Sequence, residues 1–268
     1  MPPMRVPVVQ QHSRRRRALR RRALWTGGEL LVTAGVVLLL LVVQQLWWTN
    51  REARQGAERQ VQALERQWGT QTPTSPSSTR PSTSPSTPAN TGAADGSSPN
   101  RTTTTATTGS GGSTTIPHPS QAYAILTIPR LHLRVPIAEG VSKRNVLNKG
   151  YVGHYPGTQQ PGQAGNFALA GHRNTHGEPF RYLPRLRLKD TVQVETSTAT
   201  YTYTVDKILP QTSAADSGVI RPIPRSTVKP SYGYSRPGYY ITLTTCTPEF
   251  TSRYRMAVWG TLQSTRPR

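Results

Sequence analysis

The run Ile241-Thr242-Leu243-Thr244-Thr245-Cys246-Thr247-Pro248 decides how the chain is read. β-Branched side chains crowd a helix but suit a pleated strand, and here they alternate with a period of two. Pro248 cannot donate to a sheet ladder, so the strand stops there and Cys246 closes it, its thiol facing a loop mouth. The same signature recurs on both sides: Ala124–Ile128, Val135–Ala138, Asn166–Ala170, Thr191–Glu195, Thr200–Leu209, Tyr239–Thr245 and Tyr254–Leu262. Turns rich in Pro and Gly, such as Pro156-Gly157 and Pro161-Gly162, separate them. Helical signals are short: Phe180, Leu183, Leu186 and Leu188 after Pro179, and Val146-Leu147. Many closely spaced strands without regular helices between them predict a mainly β fold, antiparallel-rich and closed as a barrel in preference to a sandwich. The domain runs from about Tyr123 to Leu262, an ordinary size for one core.

Upstream the composition is different. Of 268 residues, 34% are hydrophobic and 33 Lys+Arg outweigh 12 Asp+Glu, which excludes a polytopic membrane protein. A single cysteine excludes a disulfide framework and an all-cysteine zinc site. The net charge of +21 is spread rather than patched: residues 1–28 hold eight Arg and no acid, and residues 123–268 carry +12. Arg14 to Arg17 and Arg20 to Arg22 precede an apolar stretch whose core is Leu30 to Val43 and which extends over 24–48. Roughly 20 apolar residues span a bilayer, and arginines retained inside predict a single-pass anchor with the N-terminus cytoplasmic and the domain outside. Trp47 and Trp48 sit where an indole meets the outer interface. A cleaved signal peptide fits less well, because Gln44-Gln45-Leu46-Trp47-Trp48 stands where a small-x-small site belongs.

Five segments follow. Residues 1–23 are a basic cytoplasmic tail and 24–48 the membrane helix; 49–68, with Ala57, Val61, Leu64 and Trp68 at helical spacing, form a short amphipathic helix. Residues 69–122 are a Ser/Thr/Pro-rich stretch with nothing to build a core, and 123–268 hold the chemistry. The Ser/Thr stretch is expected to be a disordered tether with a reach of about 40 Å, or else a glycosylated stalk.

Cys246, alone and outside the cytoplasm, has no bridging partner in this chain. A thiol becomes a useful nucleophile when a cation favours its thiolate, and acyl transfer also needs an acid for the departing amine and a donor for the oxyanion. His172, just after the strand-like Asn166–Ala170, and Arg253 or Arg255, across a short turn from Cys246, supply suitable groups. Position on the strand alone does not choose between the two arginines.

Three motifs carry a resemblance to the sortases, membrane-anchored bacterial cysteine transpeptidases with an eight-stranded barrel. Thr242–Cys246 (TLTTC) is similar to their cysteine signature, Leu169–Arg173 (LAGHR) to the stretch around their histidine, and Arg255–Gly260 (RMAVWG) to the last barrel strand. The order agrees, with 74 residues from His172 to Cys246 and nine from Cys246 to Arg255. The resemblance implies Cys246 as nucleophile, His172 as general acid/base, Arg255 at the oxyanion and Thr245 beside the substrate. It implies cleavage of a Thr-Gly bond in a C-terminal sorting signal of secreted proteins and transfer of the threonine to an amine of a lipid-linked cell-wall precursor. His154–Thr158 (HYPGT) and Thr244–Pro248 most resemble the actinobacterial class E enzymes, whose signal is of the Leu-Ala-x-Thr-Gly type rather than Leu-Pro-x-Thr-Gly.

No cofactor, nucleic acid or metal is expected: residues 155–166 lack acids and 210–238 hold only Asp216, too few carboxylates for calcium. Other readings are a non-catalytic membrane-tethered wall-binding module, a pilin-polymerising sortase, and an L,D-transpeptidase-like enzyme. The last fits poorly, since Thr245 rather than Gly precedes Cys246.

Overall fold

The computed structural model describes residues 12–70 and 117–268; side chains of residues 12–24 and of Leu46 lie outside that description, as does most of the 69–122 stretch. One helix, α1 (His12–Gly69), precedes eight strands: β1 (Ala122–Ile128), β2 (Leu133–Glu139), β3 (Val152–His154), β4 (Gly165–Ala170), β5 (Thr191–Glu195), β6 (Ala199–Ser213), β7 (Tyr239–Thr247) and β8 (Tyr254–Pro267). They close into a barrel in the order β1-β2-β3-β4-β7-β8-β6-β5. Seven strands lie where the period-two pattern puts them. The eighth, β3, is three residues long with Gly153 at its centre, too short to show a period. The expected helical segments are single 3-10 turns, Leu147–Lys149 and Leu183–Arg185.

Alternation dictates what is buried. Ile241 and Leu243 of β7, Phe167 and Leu169 of β4, and Met256 and Val258 of β8 point into the barrel core. The residues between them face outward under the long β6–β7 connection, where Trp259 donates its indole N–H to the Val219 carbonyl at 3.0 Å. Two pairings in the barrel are parallel, β2 with β3 and β4 with β7; the β4–β7 register runs from Gly165↔Tyr239 to Ala170↔Thr244. That pairing sets two strand ends side by side.

The β6–β7 connection is pinned by Asp216, which accepts from the hydroxyls of Thr212, Ser226 and Thr227 and from the Thr227 N–H. Burial alone would raise its carboxyl, but these donors outweigh burial and hold it below the ordinary carboxylate value. A depressed folded-state value means the stabilisation is present above the unfolded pKa and is lost as pH falls through the folded one. Asp216→Ala should therefore free the connection at neutral pH, at a cost of about 3 kcal/mol. Limited trypsinolysis reads this directly, as faster cleavage after Arg225, the basic residue of this connection not followed by proline; an unchanged digestion rate would show that Asp216 pins nothing.

The segments read as a membrane helix and a separate amphipathic helix are one continuous helix. Its apolar part, beginning at Trp25, is exposed and is long and apolar enough to cross a membrane. Beyond Trp48 one face turns inward: Ala53, Ala57, Val61, Leu64 and Trp68 are buried, the last three against Ile125 of β1. Trp68 also lies under the Arg268 guanidinium, 4.7 Å from the ring centroid. The partner of the amphipathic face is the barrel itself. The chain therefore leaves α1 and re-enters the barrel on the same side, since Ala122 packs against this cluster. Trp68 at the end of α1 and Ala122 at the start of β1 thus lie in one cluster, and α1 packs directly on the barrel. The expected tether falls mostly on residues 71–116, which lie outside the described residues.

Candidate active site

Cys246 is partly exposed and lies at the end of β7, between two neighbours. On the β8 side the antiparallel register pairs it with Arg255, so both side chains leave the sheet on one face. Arg253 precedes β8 and stacks its guanidinium 5.2 Å from the Tyr254 ring centroid. The register thus separates two arginines that sequence position left equivalent. The Arg255 guanidinium is folded back onto its own turn, donating to the Ser252 and Tyr254 carbonyls at 2.8 and 3.0 Å.

On the β4 side the parallel pairing continues one residue past the strand: Gly171 donates its N–H to the Thr244 carbonyl at 3.1 Å. The Thr245 hydroxyl in turn donates to the Gly171 carbonyl at 2.8 Å. The register ending at Ala170↔Thr244, with these two bonds just past it, sets the exit of β4 that bears His172 beside the end of β7 that bears Cys246. Gly171 is required here because a Cβ would come within 2.6 Å of the Phe180 ring. Thr245, expected to touch substrate, is buried, and its hydroxyl ties β7 to the His172 loop.

His172 is held at one ring edge and on one ring face. Its Nε2 donates to Asn148 Oδ1 at 2.9 Å, and its ring stacks on His176 at 5.5 Å between centroids. Because Oδ1 only accepts, Nε2 carries the hydrogen and Nδ1 keeps the lone pair. Burial, followed by the charges of His176 and Lys143, lowers the imidazole from 6.5 to about 4, so it is neutral at pH 7. Among the described residues Cys246 is the sole thiol.

Three contributors were not foreseen. Arg173 donates through Nη1 to the Cys246 carbonyl at 3.2 Å and to the Thr247 hydroxyl at 3.0 Å, placing a second guanidinium behind the thiol. It adjoins His172 in LAGHR, and that adjacency is the signal that could have found it. Tyr155 shares a hydrogen bond of 3.1 Å with the Thr244 hydroxyl, bracing β7 from the β3–β4 connection. Asn148 sits on the 3-10 turn before β3, and no local pattern marks it. Nearby, buried His154 binds Glu139 at 2.6 Å and the Thr158 hydroxyl at 2.8 Å. This gives the HYPGT stretch a structural task, locking β3 to β2.

A thiol at a strand end, a neutral imidazole on the adjoining strand end and a guanidinium paired across the next strand can carry out nucleophilic acyl transfer. A protein-family model for the sortase domain matches residues 126–263. The chain is 52% identical over 155 residues to Sortase SrtE1 of Streptomyces coelicolor, covering 56% of this chain and 43% of that protein. It is 35% identical over 145 residues to Sortase SrtE2 of the same organism, covering 52% of this chain and 55% of that one. The matched stretch thus spans about half the length of these relatives. The fold is similar to the crystal structure of Sortase E1 from Streptomyces coelicolor with a tripeptide in the active site: TM-score 0.53, 51% identity, 57% of this chain and 94% of that one. Sortase E from Streptomyces avermitilis is also similar, with TM-score 0.50, 42% identity, and 56% and 93% coverage.

Proposed function

The chain belongs to the sortase family, and from that premise we propose that it is a membrane-anchored cysteine transpeptidase. The observation carrying this reading is the two-sided register at β7, with Arg255 paired to Cys246 on one flank and the end of β4 leading to His172 on the other.

In the first step the Cys246 thiol attacks the carbonyl of the threonine in a Thr-Gly bond. The thiol proton passes to Nδ1 of neutral His172 and from there to the departing glycine amine, leaving a threonyl thioester on Cys246. Asn148 holds the imidazole in the tautomer this needs. Arg255, released from its own turn, donates to the oxyanion as charge develops. In the second step an acceptor amine attacks the thioester and its proton returns to the thiol through His172. Thr245 and Arg173 act behind the thiol, joining the His172 loop to the end of β7.

The donor substrate is a secreted protein bearing a C-terminal sorting signal, and the acceptor an amine of a lipid-linked wall precursor. The arginine-rich head keeps the N-terminus cytoplasmic and the barrel outside. Identity to two class E enzymes supports a signal of the Leu-Ala-x-Thr-Gly type.

Mixing the full chain with Leu-Ala-x-Thr-Gly and Leu-Pro-x-Thr-Gly peptides should give an intact-mass adduct ending in threonine, larger with the first peptide and absent in Cys246→Ala. A folded protein whose thiol still alkylates but acylates with neither peptide would overturn the reading.

A further inference from the structure

We infer that the turn of α1 just outside the membrane, through Asn50, Ala53 and Arg54, is a positioning element of the active site, seating the two segments that hold His172; this rests on the acyl-transfer reading above. His172 depends on its own loop to Phe180 and on Asn148, which belongs to a different connection. Both are docked on this one helical turn.

The loop is gripped by hydrogen bonds. Asn50 donates to Glu178 Oε1 at 2.9 Å and accepts from the Gly177 N–H at 3.3 Å. Arg54 donates through Nε to the Gly177 carbonyl at 3.1 Å and through Nη2 to Glu178 Oε2 at 2.9 Å. Glu178 is buried, and Arg181 completes its coordination at 2.7 Å while also reaching Glu249, three residues past Cys246, at 3.5 Å. A carboxylate taken out of water must be paired this fully, so removing one cation leaves a costly site. His176 and Glu178 both hold positive φ, 53° and 54°, which side chains other than glycine adopt only where surrounding contacts impose it. His176 is the ring stacked on His172.

The second segment is gripped by close approach. Gly150 ends the turn carrying Asn148 at φ 79°, and a Cβ there would meet the Ala53 carbonyl oxygen at 2.8 Å. The helix backbone therefore rests directly on the turn. Asn50 and Arg54 lie two and six residues beyond Trp48, or about 3 and 9 Å along the axis. The imidazole is thereby fixed by the part of the chain closest to the outer membrane interface, and the loop bearing it is held there too.

The test uses the full chain in phosphatidylethanolamine/phosphatidylglycerol nanodiscs, with the Leu-Ala-x-Thr-Gly peptide as donor. Arg54→Ala and Glu178→Gln should slow acylation of Cys246 roughly tenfold with KM nearly unchanged, as expected when a reacting group is misplaced while substrate binding stays intact. Arg54→Lys should recover part of the rate, and Gln62→Ala, on the exposed face, should match the wild type. Gly150→Ala should slow acylation while Gly157→Ala, at nearly the same φ of 81° but with open space around it, should not. Equal acylation rates in Arg54→Ala and wild type would overturn the inference. If the wild type itself forms no Cys246 adduct, the acyl-transfer reading fails instead. Amide exchange over His172–Phe180 then decides the positional part: faster exchange in Arg54→Ala supports it, and unchanged exchange overturns it.

Discussion

Replacing His172 with Gln should slow acylation of Cys246 by about a thousandfold, within the range for removing a general acid–base group. Gln retains a donor for Asn148, so the loop keeps its bond while the lone pair that takes the thiol proton is gone. The wild-type enzyme should also show an acid limb set by His172. Its imidazole stands at about 4, lowered first by burial and then by His176 and Lys143, against 6.5 for an ordinary histidine. The imidazole is therefore already neutral from about pH 5 upward, and with His172 in the proposed role acylation should fall only as pH drops through the region of 4. The sign for stability follows from the same shift: the folded state disfavours the imidazolium, so this contribution is complete above 6.5 and is lost as pH falls through about 4. Circular dichroism recorded beside the rates separates loss of fold from loss of base. In His172→Gln the residual rate should lack that limb; a limb that survives the substitution belongs to another group and removes His172 from the role of base.

Phe180→Ala should have the largest effect on stability, about 4 kcal/mol. The ring is fully buried in the main core, its edge fills the space over Gly171, and its N–H donates to the His172 carbonyl at 2.9 Å. For a domain of this size that energy corresponds to a fall in Tm of roughly 12 °C. The cavity opens beneath the His172 loop, so acylation should drop as well, by more than a cavity of equal volume elsewhere in the barrel would cause. Tyr203→Ala, a buried aromatic of β6 in the same cluster, is the comparison. Equal rates in the two variants, at a temperature where both are folded, would show that Phe180 is core and nothing more.

Much of this was legible in the chain before any fold was known, for a local reason. A period of two marks a strand within six or seven residues, so seven of the eight strands and the position of Cys246 at a strand end could be read from their own neighbourhoods. The apolar stretch and its arginine flank are likewise contiguous. His172 and Cys246 were legible through LAGHR and TLTTC, because each motif lies within one strand and its exit. What lay beyond reach depends on residues far apart in sequence.

The separation of 74 positions from His172 to Cys246 says nothing about their meeting; the parallel β4–β7 register sets the two strand ends that bear them side by side. The choice of Arg255 as the residue opposite Cys246 likewise comes from pairing across β7 and β8. Asn148 carries no motif and reaches His172 only because the barrel closes through β3, a strand too short to announce itself. The apolar stripe beyond Trp48 was visible, but a stripe does not name its partner. Only the tertiary structure turned it into a strut between the membrane and the barrel, because the glycines and the buried glutamate that receive it lie about 100 residues or more downstream. Local periodicity determines which residues form strands and which face each buries, whereas the meeting of those faces is a property of the closed chain.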